Sequence, residues 1–287
     1  MKGKSLITRW LPAAVGITLL TACAMPPSVS KLQPVETAIP EPGTDAWRQQ
    51  WRSFTLVDDQ TSVSYRALLP EDFDPSQQYP VVLFLHGAGE RGEDNNAQLN
   101  NGGALFSAHR SDFPAIVIFP QAPTADYWAV VEADRSALPF TFEYPFTGDN
   151  DVPPTPAMQG VMMLSDWLSE QPYVDTQRMY LMGLSMGGMG SYELLARQPD
   201  RFAAAVIICG GANAAIADDI RTDLPVWAFH GGKDDIVIPR YSTRVLEGLR
   251  AQGNPVTFTL FEDANHNSWD PTFAEPELLP WLFSQHK

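Results

Sequence analysis

Between residues 51 and 285 short apolar runs alternate with longer stretches in which apolar and polar positions recur at helical spacing. Residues 81–85 and 115–119 are unbroken apolar runs, the pattern of strands buried on both faces. Residues 179–182, 203–209, 226–229 and 256–261 complete the set, and 52–58 with 62–69 read as an antiparallel pair joined around Asp59-Gln60. Helical candidates fall between them, over 103–109, 157–170, 186–197, 240–252 and 275–285. This alternation predicts an α/β fold with a mostly parallel central sheet and helices on both faces. Ligands of such sheets bind beyond the carboxyl ends of the strands.

Chemistry-bearing residues cluster at those strand ends. Residues 180–190 read as a strand, a glycine-crowded turn and the start of a helix, and Gly183, Ser185 and Gly187 fit the G-x-S-x-G nucleophile elbow. The same turn also fits a glycine-rich phosphate-binding or purely structural connection. After 81–85 comes His86-Gly87-Ala88-Gly89-Glu90-Arg91-Gly92, after 226–229 comes His230-Gly231-Gly232-Lys233-Asp234-Asp235, and after 256–261 comes Asn265-His266-Asn267-Ser268-Trp269 within its following loop.

With these motifs in order, residues 51–285 resemble an α/β-hydrolase, whose Ser…Asp…His chain order is matched by Ser185, Asp234 and His266. Of the five histidines only His266 and His286 follow the acid, and His286 is the penultimate residue, where chain ends fray. The resemblance implies that Ser185 is the nucleophile, His266 its base and Asp234 the group that orients the imidazole. Asp234 matches the H-G-x-x-D pattern of this fold's esterases, with its neighbour Asp235 as the alternative. The implied oxyanion hole uses the backbone N–H of Met186 and one from the His86-Gly87 loop, Ala88. His86 and His230 read as structural residues. The segments 85–95, 119–123 and 265–269 resemble an exported esterase group often labelled peptidases, related to polyhydroxybutyrate depolymerases and to feruloyl and acetylxylan esterases. These features imply a serine hydrolase acting on small or oligomeric carboxylic esters through an acyl-serine intermediate. The alternatives are a serine peptidase on short peptides and a binding lipoprotein that has kept a hydrolase fold without catalysis.

The amino-terminal stretch reads differently. Lys2, Lys4 and Arg9 precede a mostly apolar run over 10–20 that is short for a bilayer span. Leu20-Thr21-Ala22-Cys23 resembles the bacterial lipobox, which implies lipidation at Cys23 after loss of residues 1–22 and a place on the cell envelope's membrane, the outer one in a Gram-negative cell. Pro26, Pro27, Pro34, Pro40 and Pro42 then predict a tether over 23–46, followed by one catalytic domain over 47–287. With 19 Lys+Arg against 34 Asp+Glu and a formal charge of −15, nucleic acid and anionic membrane surfaces are poor partners. Cys209 is the one other cysteine, expected in a buried strand.

Residues 124–156 interrupt the alternation with Tyr127, Trp128, Phe140, Phe142, Tyr144 and Phe146 among several prolines. Following a central strand, the segment is either a lid or pocket wall over the site or an excursion packed on the domain's own side. Tyr127 and Trp128, with Trp269, are the candidate substrate contacts. Asp149-Asn150-Asp151 lacks the spaced oxygen ligands of a calcium loop, and no zinc spacing or dinucleotide fingerprint is present, so no metal or cofactor is expected. The sequence carries no signal for oligomeric state.

Overall fold

The apolar runs become neighbouring strands of one nine-stranded sheet. In the computed structural model, residues 32–37, 45–148 and 152–287 are described. Residues 1–22, Cys23 and Asp149-Asn150-Asp151 lie outside them. The strands are β1 (Val35–Thr37), β2 (Arg52–Val57), β3 (Ser62–Leu68), β4 (Tyr79–Leu85), β5 (Ile116–Gln121), the small pair β6 (Glu132–Asp134) and β7 (Thr141–Glu143), β8 (Val174–Leu184), β9 (Ala204–Ile208), β10 (Val226–Gly231) and β11 (Val256–Phe261). The helices are α1 (Gly103–Ala108), α2 (Pro156–Ser169), α3 (Met186–Arg197), α4 (Arg240–Gln252), α5 (Trp269–Phe273) and α6 (Leu278–Ser284).

The sheet runs β1-β2-β3-β5-β4-β8-β9-β10-β11, while β6 and β7 pair separately. From β5 to β11 every neighbouring pair is parallel, and β1, β2 and β3 add an antiparallel edge. Burial on both faces explains the unbroken apolar runs. In β4, Val81, Leu83 and Leu85 enter the core that holds α2, α3 and α4 residues, whereas Val82 and Phe84 enter the opposite one, with Phe106 of α1 and Leu278, Leu279 and Leu282 of α6.

Local signals set the helix ends. Thr155 caps α2 by accepting the Met158 N–H at 3.1 Å, with Pro156 at the first helical position. Gly253, at φ 101°, closes α4 in the left-handed conformation. The helix expected over 275–285 is α6, Leu278–Ser284, which starts only after Pro276, whose ring disfavours helical backbone just before it, while α5 precedes the expected range.

The tether expected over 23–46 is in part a piece of the fold. Val35–Thr37 forms the outermost strand, pairing antiparallel with Ser53–Thr55 of β2, and the Leu32 carbonyl accepts the Trp167 indole N–H at 3.0 Å. Three residues are too few to show a period, and it is the open edge of β2 that makes them a strand. Among the described residues, no helix is long and apolar enough to cross a membrane.

Candidate active site

The site is built where β8 turns into α3. Ser185 sits at φ 52°, ψ −117°, a conformation costing about 1–3 kcal/mol, held in place by its N–H bond to the Ile208 carbonyl at 2.8 Å. The flanking glycines make the turn possible. A Cβ on Gly187 would overlap the Leu85 carbonyl oxygen, and one on Gly183 would overlap Gly187 itself. Serine ordinarily caps the helix it precedes, yet the Ser185 side chain makes no capping bond. Its Oγ lies 2.9 Å from His266 Nε2 instead.

His266 is delivered by the loop after β11, and its Nδ1 lies 2.8 Å from Asp234 Oδ2, delivered by the loop after β10. The other Asp234 oxygen accepts the N–H groups of Ile236 and Val237, each at 2.9 Å. Burial pushes this carboxyl upward, but hydrogen bonds from His230, His266 and Val237, with the His266 charge, outweigh it and hold the carboxyl at about 2. Asp234 is therefore ionised at neutral pH. Asp235, next to it, is exposed to solvent and takes no part.

His230 proves more than a packing residue. Fully buried, it places Nε2 3.2 Å from Asp234 Oδ2 and 2.6 Å from the Val237 carbonyl, with Nδ1 against Ser242 Oγ. The spacing His230–Asp234 was visible in the sequence, but not the turn that folds one onto the other. His86 is the structural residue expected. Its Nδ1 meets the Gly87 carbonyl at 2.6 Å and its Nε2 accepts the Ala122 N–H at 3.0 Å. Burial pulls its basicity down to about 4, so it stays neutral at physiological pH.

Ala88 and Met186 each open a helical turn, Ala88 that of a 3-10 segment over Ala88–Glu90 and Met186 that of α3. The first N–H of a helix has no partner within it. Both therefore stay available beside Ser185, and neither donates to a loop or turn carbonyl among the described residues.

A cleft of about 410 Å³ opens over Ser185 and His266. One flank is mostly apolar, made by Tyr127, Phe140, Phe142, Met189 and Ile236, with Arg135 donating to the Tyr127 hydroxyl at 2.8 Å, and the other carries Glu90, Asn101 and Trp269. Tyr127 and Trp269 line the cleft. Trp128 does not: it is fully buried, its indole N–H bonds the His86 carbonyl at 3.0 Å, and its ring packs on His86. A buried indole must satisfy its one donor, and the carbonyl that does so lies beneath the site, not inside it. The described residues of segment 124–156 both face the cleft and pack into the domain. Tyr127, Phe140 and Phe142 form a wall, while Trp128 and Phe146 anchor the segment from within.

Cys209 is buried as expected but lies one residue past β9, at φ 42°. Burial keeps its thiol protonated, the nearby Asp234 charge adding to the effect. Cys209, Asp234 and His266 bring ligand atoms within 4.8 Å of one another. That set suits a metal poorly, because both His266 nitrogens are already engaged by Ser185 and Asp234.

The sheet order, with this serine–histidine–aspartate array at its strand ends, is that of the α/β-hydrolase fold. Residues 151–275, which include all three residues of the array, match the family described as dienelactone hydrolase. The chain is similar to a bifunctional acetylxylan esterase/xylanase of Neocallimastix patriciarum, 27% identical over 184 residues, covering 64% of this chain and 23% of that protein. It is also similar to feruloyl esterase B of Thermothelomyces thermophilus, 25% identical over 161 residues, covering 56% of this chain and 48% of the relative. The crystal structure of a thermostable esterase superposes with a TM-score of 0.72 at 32% identity, over 83% of this chain and 64% of that one. The chain thus spans less than two thirds of each of these proteins.

Proposed function

We propose that the protein is a serine hydrolase that cleaves carboxylic esters through an acyl-serine intermediate. The observation that carries this reading is the unbroken relay Ser185 Oγ–His266 Nε2–Asp234 at 2.9 and 2.8 Å, opening into a cleft. His266 takes the Ser185 proton as Oγ attacks the ester carbonyl carbon. The oxyanion that forms accepts hydrogen bonds from the Ala88 and Met186 N–H groups in this reading, with the positive end of helix α3 beside it. As the carbon–oxygen bond to the alcohol breaks, His266 returns the proton to the leaving oxygen. Water then attacks the acyl-serine by the same path in reverse roles. Asp234, ionised and held by two backbone N–H groups, keeps the imidazole in the tautomer that accepts from serine and stabilises the imidazolium. The esterases among the similar proteins support the choice of ester over amide.

Wild-type protein should hydrolyse p-nitrophenyl butyrate, and a fluorophosphonate should label Ser185. Ser185→Ala should cut kcat by at least about a thousandfold, since the oxyanion donors alone supply only residual catalysis. Labelling that maps by mass spectrometry to another serine would overturn the assignment. We further propose that a lipid on Cys23 tethers the enzyme to a membrane of the cell envelope, a reading that rests on the lipobox-like sequence.

A further inference from the structure

The two flanks of the cleft belong to opposite faces of the sheet. Phe142 and Met189, with Tyr127, Phe140 and Ile236 packed on them, form a small apolar cluster above α3. Trp269 and Phe273 pack with the other core, that of Phe84 and Phe106, and Asn101 lies two residues before α1, whose Phe106 belongs to that core. Ser185 and His266 lie between, so an ester bound across them places its acyl and alcohol halves in chemically different surroundings.

The alcohol half is fixed by the proton it must receive. His266 Nε2 delivers that proton, and the Trp269 ring stands edge-on to the His266 ring, 5.6 Å away at 89°. The leaving alcohol therefore lies on the Trp269 flank. There, Glu90 Oε1 accepts the Asn101 amide at 2.8 Å, while Oε2 stands over Gly87, whose added Cβ would be only 3.1 Å from it. Glu90 has no ion-pair partner among the described residues. The adjacent cation, Arg91, is turned to the Ala88 and Asp126 carbonyls. One of the two Asn101 amide N–H groups is spent on Glu90, so its second N–H, its oxygen and the free lone pairs of the carboxylate are the polar side-chain groups beside the leaving group. The carboxylate can only accept, and burial raises it above the usual range in spite of hydrogen bonds from the Gly87 N–H, the Asn101 amide and its own N–H.

Resting on the esterase reading above, we infer that Glu90, positioned by Asn101, is a specificity-determining residue that selects esters whose alcohol carries a further hydroxyl group next to the esterified one. The hydroxyl donates to the carboxylate, and the carbon skeleton of the alcohol lies against the Trp269 ring. A plain alkyl alcohol displaces water from the exposed lone pairs of the carboxylate and offers no donor in exchange, which raises the barrier for that substrate. Site-built acceptors reject analogues lacking the donor more strongly than apolar pockets reject a missing methylene.

The test compares glycerol 1-butyrate with propyl butyrate, which share an acyl group and differ in the hydroxyls of the alcohol. The wild type should favour the glycerol ester in kcat/KM by about tenfold or more, and Glu90→Leu should lose most of that preference. The ratio cancels any effect of the variant on the shared acyl-transfer steps. Glu90→Gln, which keeps the shape, should lose it in part and serves if Glu90→Leu does not fold. An unchanged ratio in the folded variants, or no preference in the wild type, overturns the inference. If the wild type cleaves neither these esters nor p-nitrophenyl butyrate, the esterase reading itself fails. Butyrate cleavage with an unaltered ratio fails the inference alone.

Discussion

Asp234 and Asp235 are adjacent acids with opposite surroundings, one enclosed by two histidines and two N–H donors, the other exposed. Asp234→Asn keeps the shape but removes the charge that stabilises the imidazolium and allows the imidazole to settle in the wrong tautomer. A kcat loss of roughly 10³–10⁴ is expected, with the KM for p-nitrophenyl butyrate little changed. Asp235→Asn should change kcat by less than about twofold, because no atom of the relay depends on it. Steady-state kinetics on both variants decide the matter, and equal losses would mean that the loop after β10 rearranges in solution. His230 adds a consequence for stability. Its ring is a wall of the Asp234 site, so removing it leaves a buried carboxylate one donor short, a cost of about 1–3 kcal/mol.

The aromatic wall is an element held by a small number of strong contacts. Glu193 on α3 accepts the Val130 N–H at 2.9 Å and pairs with Arg197 at 2.8 Å, both side chains almost fully buried. Arg197 in turn donates to the Val152 carbonyl and lies 3.9 Å above the Phe146 ring. Both ends of the segment are thereby pinned to α3, the helix that follows Ser185. Glu193→Ala strands the Arg197 charge in the interior, at a cost of about 3–5 kcal/mol, or roughly 10 °C in Tm. It should also raise KM more for aromatic and long-chain acyl esters than for acetyl esters, because Tyr127, Phe140 and Phe142 lose their fixed positions. A lower Tm with the same KM for every acyl group would show that these rings do not contact the acyl half. Little of this clamp was legible in the sequence. The strands were, because burial on both faces leaves unbroken apolar runs such as that of β4, and the elbow was, because close strand–helix approach demands glycine at fixed offsets. Trp128 was misplaced because an aromatic in a loop reads alike whether it lines a cleft or plugs the core. Glu90 lay within a recognised motif, but its pairing with Asn101 depends on the path of the loop, which no periodicity records.

At the scale of the molecule, the sheet separates the amino-terminal edge from the chemistry. β1 and β11 are the two outermost of nine strands, so roughly 40 Å of sheet lies between them at about 4.8 Å per strand. A lipid on Cys23 would therefore tie the enzyme to a membrane by the edge remote from His266. Cys23→Ser should move the protein from the membrane to the soluble fraction with kcat unchanged. Wild-type protein found soluble, with an unmodified N-terminus beyond Cys23, would refute the anchor. The inner end of this segment makes a separate, structural demand. A chain beginning at Leu32 retains β1, the Glu36–Arg52 pair and the carbonyl that accepts the Trp167 indole N–H. One beginning at Asp45 loses all three, uncovers the edge of β2 and leaves the part-buried indole donor without its partner. The shorter chain should melt several degrees lower, in line with about 1–3 kcal/mol for the lost donor bond and edge pairing. Its kcat per folded molecule should match that of the longer chain, because every residue of the relay hangs on β8, β10 and β11. Scanning calorimetry and active-site titration on the two chains separate these effects. Equal Tm values would show that β1 adds nothing to the fold, and a fall in kcat without loss of titratable Ser185 would show that the far edge does shape the site.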